Sequence, residues 1–203
     1  MNCNDQNATD PKGRSPKKEQ SVTTKTQTKL PVGTWTFDKT HTALTFIARH
    51  MMVTKVRGTF PAFDGSVEVA ENLSDSKVNV TIEAASVTTG APDRDAHLIS
   101  PDFFDVASYP NIRFVSTDLR QEHGQWMMTG DLTIKDVTKP VTLDVIFEGT
   151  NTNPWGKTVA GFSASTEVDR EDWGLTWNLA LETGGVLLSK KVKLEIETQL
   201  VKG

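Results

Sequence analysis

The residues able to do chemistry are few and far apart. His41, His50, His97 and His123 are spread along the chain, and none shares with another the short spacing at which one turn or helix supplies paired metal ligands. Cys3 is the sole cysteine, so an internal disulfide is excluded and a cysteine-based zinc site lacks its ligands. Ser163 lies in Gly161-Phe162-Ser163-Ala164-Ser165, which lacks the second glycine of a nucleophile elbow. No phosphate-binding glycine loop, dinucleotide fingerprint or paired-histidine metal motif is present. What remains is His50, the group Arg94, Asp95 and His97, and the stretch Asp169-Arg170-Glu171-Asp172 followed by Trp173 and Trp177. An arginine beside an apolar cavity would suit a phosphate or carboxylate. The reading favoured for Arg94, Asp95 and His97 is an ion-pair cluster that pins a short helical segment. Asp169, Arg170 and Asp172 read as a turn lock. Trp173 and Trp177 read as packing at one end of the fold, or as pocket lining, since aromatics dominate apolar ligand sites.

The elements that must position these residues have a period of two. Leu44, Phe46 and Ala48 alternate with polar neighbours, as do Val78, Val80, Ile82 and Ala84. The same holds for Met128, Gly130, Leu132 and Ile134, for Val141, Leu143, Val145 and Phe147, and for Val192, Leu194 and Ile196. Such runs are antiparallel strands with one buried and one wet face. Less regular strands fit near 33–38, 56–70, 111–120 and 157–169, with turn signals at Asp64-Gly65, His123-Gly124, Asn153-Pro154 with Gly156, and Gly184-Gly185. Helix is scarce, and one interruption of the strand pattern falls at 91–106. There Asp93 to Leu98 can make a short turn, and Ser100-Pro101-Asp102 reads as an N-cap followed by proline and an acidic first turn. Eight or nine long, sequential strands predict an all-β, up-and-down antiparallel barrel of about eight strands with one or two short helical segments. An interior of that size is either filled by side chains or holds one small ligand. His50 continues the inward parity of Leu44, Phe46 and Ala48 at the end of that strand, where it either meets a ligand's polar head at a barrel mouth or closes the barrel end as a hydrogen-bonded histidine. The small inward residues Ala48, Ala84 and Gly130 are read as leaving room.

Composition divides the 203 residues in two. Residues 1–30 hold no aromatic and carry six Lys/Arg against three acidic residues, a net +3. They are read as a disordered polar tail, too poor in apolar surface to offset ordering entropy. Residues 31–203 carry −7 and form the barrel domain. A sequence pI of about 5.6 gives no electrostatic footprint for nucleic acid. No apolar run approaches the ~20 residues of a spanning helix. The start, Met1-Asn2-Cys3-Asn4-Asp5, has no basic or apolar signal region, which predicts a cytoplasmic location.

Several stretches together resemble the YceI-like family of lipocalin-like barrels, whose members bind polyisoprenoids and related long apolar molecules. The first runs from Phe37-Asp38-Lys39-Thr40-His41-Thr42 through Phe46 and Arg49-His50-Met51 to Val56-Arg57-Gly58-Thr59-Phe60, Phe63 and Gly65. The second holds Arg94-Asp95-Ala96-His97-Leu98, Ser100 to Val106, Tyr109-Pro110, Phe114 and Ser116. Gly130 to Val141 is the third, and Gly161 to Ala164 with Asp169 to Asn178 the fourth, completed by Gly184-Gly185 and a closing strand. The resemblance spans about 33–201 and none of the tail. Asp136 stands where the pattern has a turn glycine, and aspartate tolerates the left-handed conformation. Family members are often exported, though no signal is visible here.

The alternation and the resemblance together imply a non-catalytic carrier that holds one long isoprenoid, isoprenoid-quinone or fatty-acyl-like molecule. Its expected lumen residues are Leu44, Phe46, Val80, Ile82, Phe114, Met128, Leu132, Val145, Phe147, Leu194 and Ile196. At the mouth are His50, Arg94, His97, Phe103, Trp173 and Trp177. No cofactor or metal is expected, and a homodimer is left open. Two alternatives stay open beside this reading: an enzyme acting on a lipid-like substrate with His50 and the Arg94/His97 cluster, and a barrel whose interior is filled.

Overall fold

The computed structural model describes residues 30–182 and 184–203. The expected tail therefore lies, but for Leu30, outside the described residues. Ten strands make one antiparallel sheet: β1 (Gly33–Phe37), β2 (Ala43–His50), β3 (Thr54–Thr59), β4 (Phe63–Val69), β5 (Lys77–Glu83), β6 (Asn111–Glu122), β7 (Gln125–Ile134), β8 (Val137–Thr152), β9 (Thr158–Asp169) and β10 (Leu188–Lys202). They amount to eight staves. β1 and β2 lie end to end along β10, with Phe37 opposite Leu200 and Leu44 opposite Ile196. β3 and β4 continue each other in the same way, β3 along β2 and β4 along β1. The remaining strands follow in chain order, each antiparallel to the one before, and β10 pairs with β9 on one side and with β1 and β2 on the other. The sheet is thus a closed eight-stave barrel, as the alternation predicts, and closure removes free edges.

The breaks between half-staves have local causes. At 38–42 the Asp38 carboxylate accepts from the Thr40 backbone amide and hydroxyl at 3.0 and 2.6 Å, meets His41 Nδ1 at 2.8 Å and accepts from Gln199 Nε2 at 2.8 Å. This knot uses up the Asp38-Lys39-Thr40-His41 motif in making a corner. The second break is at Phe60-Pro61-Ala62. Asp64-Gly65, read as a turn, instead lies inside β4. There a glycine is needed for close approach, because a Cβ on Gly65 would meet the Asn79 carbonyl at 2.3 Å and the Phe37 ring at 3.0 Å.

Other turn assignments fare variously. His123 and Gly124 both take positive φ, 49° and 85°, in the two-residue β6–β7 loop, as a primed hairpin turn requires. Between β7 and β8 the left-handed residue is Lys135, φ 57°, and not Asp136. Met51 and Met52, φ 52° and 60°, turn β2 into β3 with no glycine or asparagine to announce it. The helix α1 runs from Pro92 to Ile99 with Pro92 in its first turn. Ser100 is its C-cap and not the start of a second helix: its hydroxyl donates to the His97 carbonyl at 2.7 Å, and residues 101–108 continue as turns. No described helix is long and apolar enough to cross a membrane.

The buried side chains form two clusters, one toward each end of the barrel. Phe60, Ala84, Val87, Phe103, Ile112, Leu132, Val141, Trp173 and Leu175 gather at the α1 end. Trp35, Val67, Val69, Ala160 and Leu200 gather at the other, with Leu30 packed against them. Trp35 is wholly buried and its indole N–H donates to the Pro31 carbonyl at 3.0 Å.

Candidate functional site

Between the two clusters runs one cavity of about 1370 Å³, above the ~300–1,000 Å³ of a pocket for a drug-sized ligand. Its wall takes residues from every stave, and its largely apolar character follows from strand parity, which turns the apolar members of the alternating runs inward. Leu44, Phe46, Val80, Ile82, Phe114, Met128, Leu132, Val145, Phe147, Leu194 and Ile196 all lie on it, as the alternation predicts. So do the expected mouth residues His50, Arg94, His97, Phe103, Trp173 and Trp177. The barrel is not filled by its own side chains.

The room does not arise where small residues suggest it. Gly130 leaves no gap: the Phe114 ring lies over it, and a Cβ there would meet Phe114 Cζ at 2.4 Å. Gly58 is covered by Phe46 in the same manner, with Cζ at 2.2 Å from the position of a Cβ. Ala84 is 1% exposed inside the upper cluster, off the lumen. Of the three small residues only Ala48 lines the cavity, joined by Ala164 opposite Val145 and Ile196. Gly58 in β3 and Gly130 in β7 therefore make room for the Phe46 and Phe114 rings and not for a ligand.

The mouth at the α1 end is built by aromatic stacking and by threonine. His97 meets Phe103 and Trp177 edge to face, with ring centroids 5.0 and 4.6 Å apart. Trp173 is 2% exposed and donates its indole N–H to the Leu132 carbonyl at 3.0 Å, so it serves chiefly as packing. His50 is exposed at the rim, and its ring makes no hydrogen bond to another described residue. The expected Arg94–Asp95–His97 ion-pair cluster does not form. Neighbours one or two apart on a helix do not face each other. Asp95 instead accepts from the Thr89 hydroxyl at 2.5 Å, from the Thr88 hydroxyl at 2.9 Å and from the Thr89 amide at 2.8 Å, contacts that hold its carboxyl below the usual range. Arg94 Nε donates to the Thr89 hydroxyl at 2.7 Å, and His97 pairs with Asp102 at 2.9 Å. The helix is pinned as anticipated, by different bonds.

The stretch after β9 is a turn of 3₁₀ helix, Arg170–Trp173, capped by Asp169, whose carboxylate accepts from the Glu171 amide. Arg170 is buried in the lumen wall, a position the turn-lock reading did not assign. The signal for it is present in the sequence. Phe162, Ala164, Thr166 and Val168 alternate along β9, and Arg170 is the next inward position. Among the described residues no group of three or more His, Cys, Asp or Glu side chains is placed to hold a metal ion.

A closed eight-stave antiparallel barrel around a single apolar lumen is the architecture of the lipocalin-like binding barrels. A family model for the YceI-like domain matches residues 35–200, and the chain belongs to the YceI-like family. A UPF0312 protein of Staphylococcus aureus (strain MSSA476) is 41% identical over 167 residues, covering 81% of this chain and 95% of its own. The crystal structure of a Campylobacter jejuni YCEI protein is 30% identical with a TM-score of 0.66, covering 76% of this chain and 90% of that one. At 13% identity, a polyisoprenoid binding domain from Saccharophagus degradans implicated in plant cell wall breakdown shares the fold, with a TM-score of 0.62 over 85% of this chain and all of that one.

Proposed function

We propose that the barrel binds one long, predominantly apolar molecule in its lumen, isoprenoid or fatty-acyl in kind, and carries it without covalent chemistry. The observation that carries this reading is the cavity of about 1370 Å³ with aliphatic and aromatic walls on every stave. Burial supplies the affinity: about 55 Å² of apolar ligand surface is worth roughly tenfold before ordering costs are subtracted. A volume above that of a drug-sized pocket favours a chain over a compact ligand. The Saccharophagus degradans domain of the same fold is described as polyisoprenoid binding, and the inward residues of this chain suit such a molecule.

The test is organic extraction of the purified protein with mass spectrometry of the extract, then reloading of the stripped protein with isoprenoid quinones, prenyl phosphates and fatty acids. Binding to the native state should raise the melting temperature with ligand concentration by mass action. Ala164→Trp should block uptake while leaving a cooperatively melting barrel. An empty extract together with no melting shift from any of these ligands would refute the carrier reading.

A further inference from the structure

Turns exposed to water are ordinarily built from glycine, asparagine and other small or polar residues. The loop from β2 to β3 is Met51-Met52-Val53. Met51 and Met52 both take the left-handed conformation, φ 52° and 60°, which is costly for a residue that carries a Cβ. All three side chains face water, 46%, 55% and 81% exposed. Neither backbone preference nor solvation accounts for these residues in a protein free in solution.

The tip is part of a wider rim. The Met51 amide donates to the Leu187 carbonyl at 2.7 Å, and the Leu187 amide donates to the Leu179 carbonyl at 2.9 Å. Leu179 is exposed as well, so the loop and the segment 178–188 make one apolar border. That border adjoins the lumen, because His50 and Leu187 both lie on the cavity wall. Glu182 is the one acidic residue in the two segments.

Behind the tip the outer face is basic. Arg49 and Lys55 stand directly opposite each other on β2 and β3, and Arg57 follows opposite Ile47. All three are exposed, and none forms an ion pair among the described residues. Like charges directly opposite each other destabilise a strand pair. Glu195 of β10, the acid that feels Arg57 and Lys55, is already paired with Lys193 at 2.7 Å. The domain is acidic on balance, −7 over residues 31–203, so this cluster of cations is a local exception.

An apolar tip with cations just behind it suits the surface of an anionic bilayer. The apolar side chains enter the boundary between headgroups and acyl chains, and the cations meet the lipid phosphates. A three-residue loop offers too little area for a stable protein partner, which needs roughly 800 Å² a side. We propose that the β2–β3 tip and the face of Arg49, Lys55 and Arg57 dock the barrel on an anionic lipid bilayer. Docking by this rim sets the opening of the lumen against the phase in which a long apolar molecule is dissolved. The docking stands on the surface residues, and only its use in loading the lumen rests on the reading above.

The experiment is sedimentation of the full chain with vesicles of phosphatidylcholine alone and of phosphatidylcholine and phosphatidylglycerol in equal parts. A cation near an anionic surface is worth about fivefold in binding. The wild type should therefore prefer the anionic vesicles by at least about tenfold, and the preference should fall as salt is added. Arg49→Gln, Lys55→Gln and Arg57→Gln together should reduce it to below about threefold. Met51→Asn and Met52→Asn with Val53→Ser should weaken binding to the anionic vesicles by about tenfold or more. Asparagine tolerates the left-handed conformation, so this variant should melt no lower than the wild type. None of the six residues lies on the cavity wall, and uptake of oleate from solution should be unchanged in both variants. Equal binding to the two compositions, binding to neither, or binding that either variant leaves at wild-type strength overturns the docking surface. So does a wild-type dimer that the tip variant converts to monomer, which would make the patch a contact between copies. Docking without uptake of isoprenoid quinone, prenyl phosphate or fatty acid upholds the surface and refutes the lumen reading.

Discussion

Gly58→Ala tests how the lumen wall is built, because two arguments give it opposite signs. Gly58 lies in mid-strand without a positive φ, so alanine fits the backbone, and propensity alone predicts a gain of about 0.5–1 kcal/mol. The structure predicts a loss. A Cβ at Gly58 would stand 2.2 and 2.5 Å from Phe46 Cζ and Cε1 and 2.9 Å from Thr89 Cγ2. The Phe46 ring cannot slide aside freely, since it packs on Phe60 with centroids 5.6 Å apart. It must swing toward the axis, at an overpacking cost of about 1–3 kcal/mol. For a domain of this size that lowers the melting temperature by roughly 2–4 °C per kcal/mol. It should also weaken uptake of long chains, because the displaced ring enters their path. The assay is urea denaturation of the wild type, Gly58→Ala, Phe46→Leu and the double variant. Leucine lacks the clashing ring, so Gly58→Ala should cost much less in that background, with a coupling of about 0.5–3 kcal/mol. Additivity, or stabilisation by Gly58→Ala in the wild type, would refute the account of the glycines as seats for aromatic rings.

Two further outcomes follow from the register and from the Asp38 corner. Leu132→Asp and Ile82→Lys put a charge on the inward face and should unfold or empty the barrel, whereas Thr133→Asp and Glu83→Lys should change stability by less than about 1 kcal/mol in urea titrations; the reverse ranking would shift the register by one residue. The bonds from Thr40, then from His41, hold the Asp38 carboxyl well below the ordinary range, so its contribution is complete above about pH 5 and is lost as the pH falls below 4 toward the folded value. Asp38→Asn should therefore be less stable than the wild type at pH 7, with the difference shrinking at pH 3; a constant difference across that range would refute the assignment.

The alternation made the inward face readable stave by stave, because a period of two separates the two sides of a strand with little ambiguity. It could not show where a strand breaks and resumes. The corner at 38–42 depends on Gln199, far along the chain, and Asp64-Gly65 carries the letters of a turn while serving close packing within β4. The helix was placed correctly, but its bonds were not, since Thr88 and Thr89 come from the preceding loop and no spacing rule points to them. Whether the barrel was open or filled was out of reach. Gly130 looks like free space until the Phe114 ring from the next strand is seen to cover it. Arg170 was hidden differently. Flanked by Asp169, Glu171 and Asp172, it reads as part of a turn lock, and only β9 parity turns it inward.

Closure of the barrel by β10 has a consequence for how the chain comes to be folded. The hydrogen bond from Thr36 to Val201 joins residues 165 positions apart, and the whole seam between the first and last staves is of this kind. Such contacts raise the contact order, and their loop entropy is met only when most of the chain is already in place. During synthesis the seam cannot form until the final stave has left the ribosome. Until then β1 and β2 on one side and β9 on the other present open edges beside an apolar face, the arrangement most prone to pair with another chain. The last fifteen residues of the sheet, Leu188–Lys202, are thus what converts an aggregation-prone ribbon into a vessel.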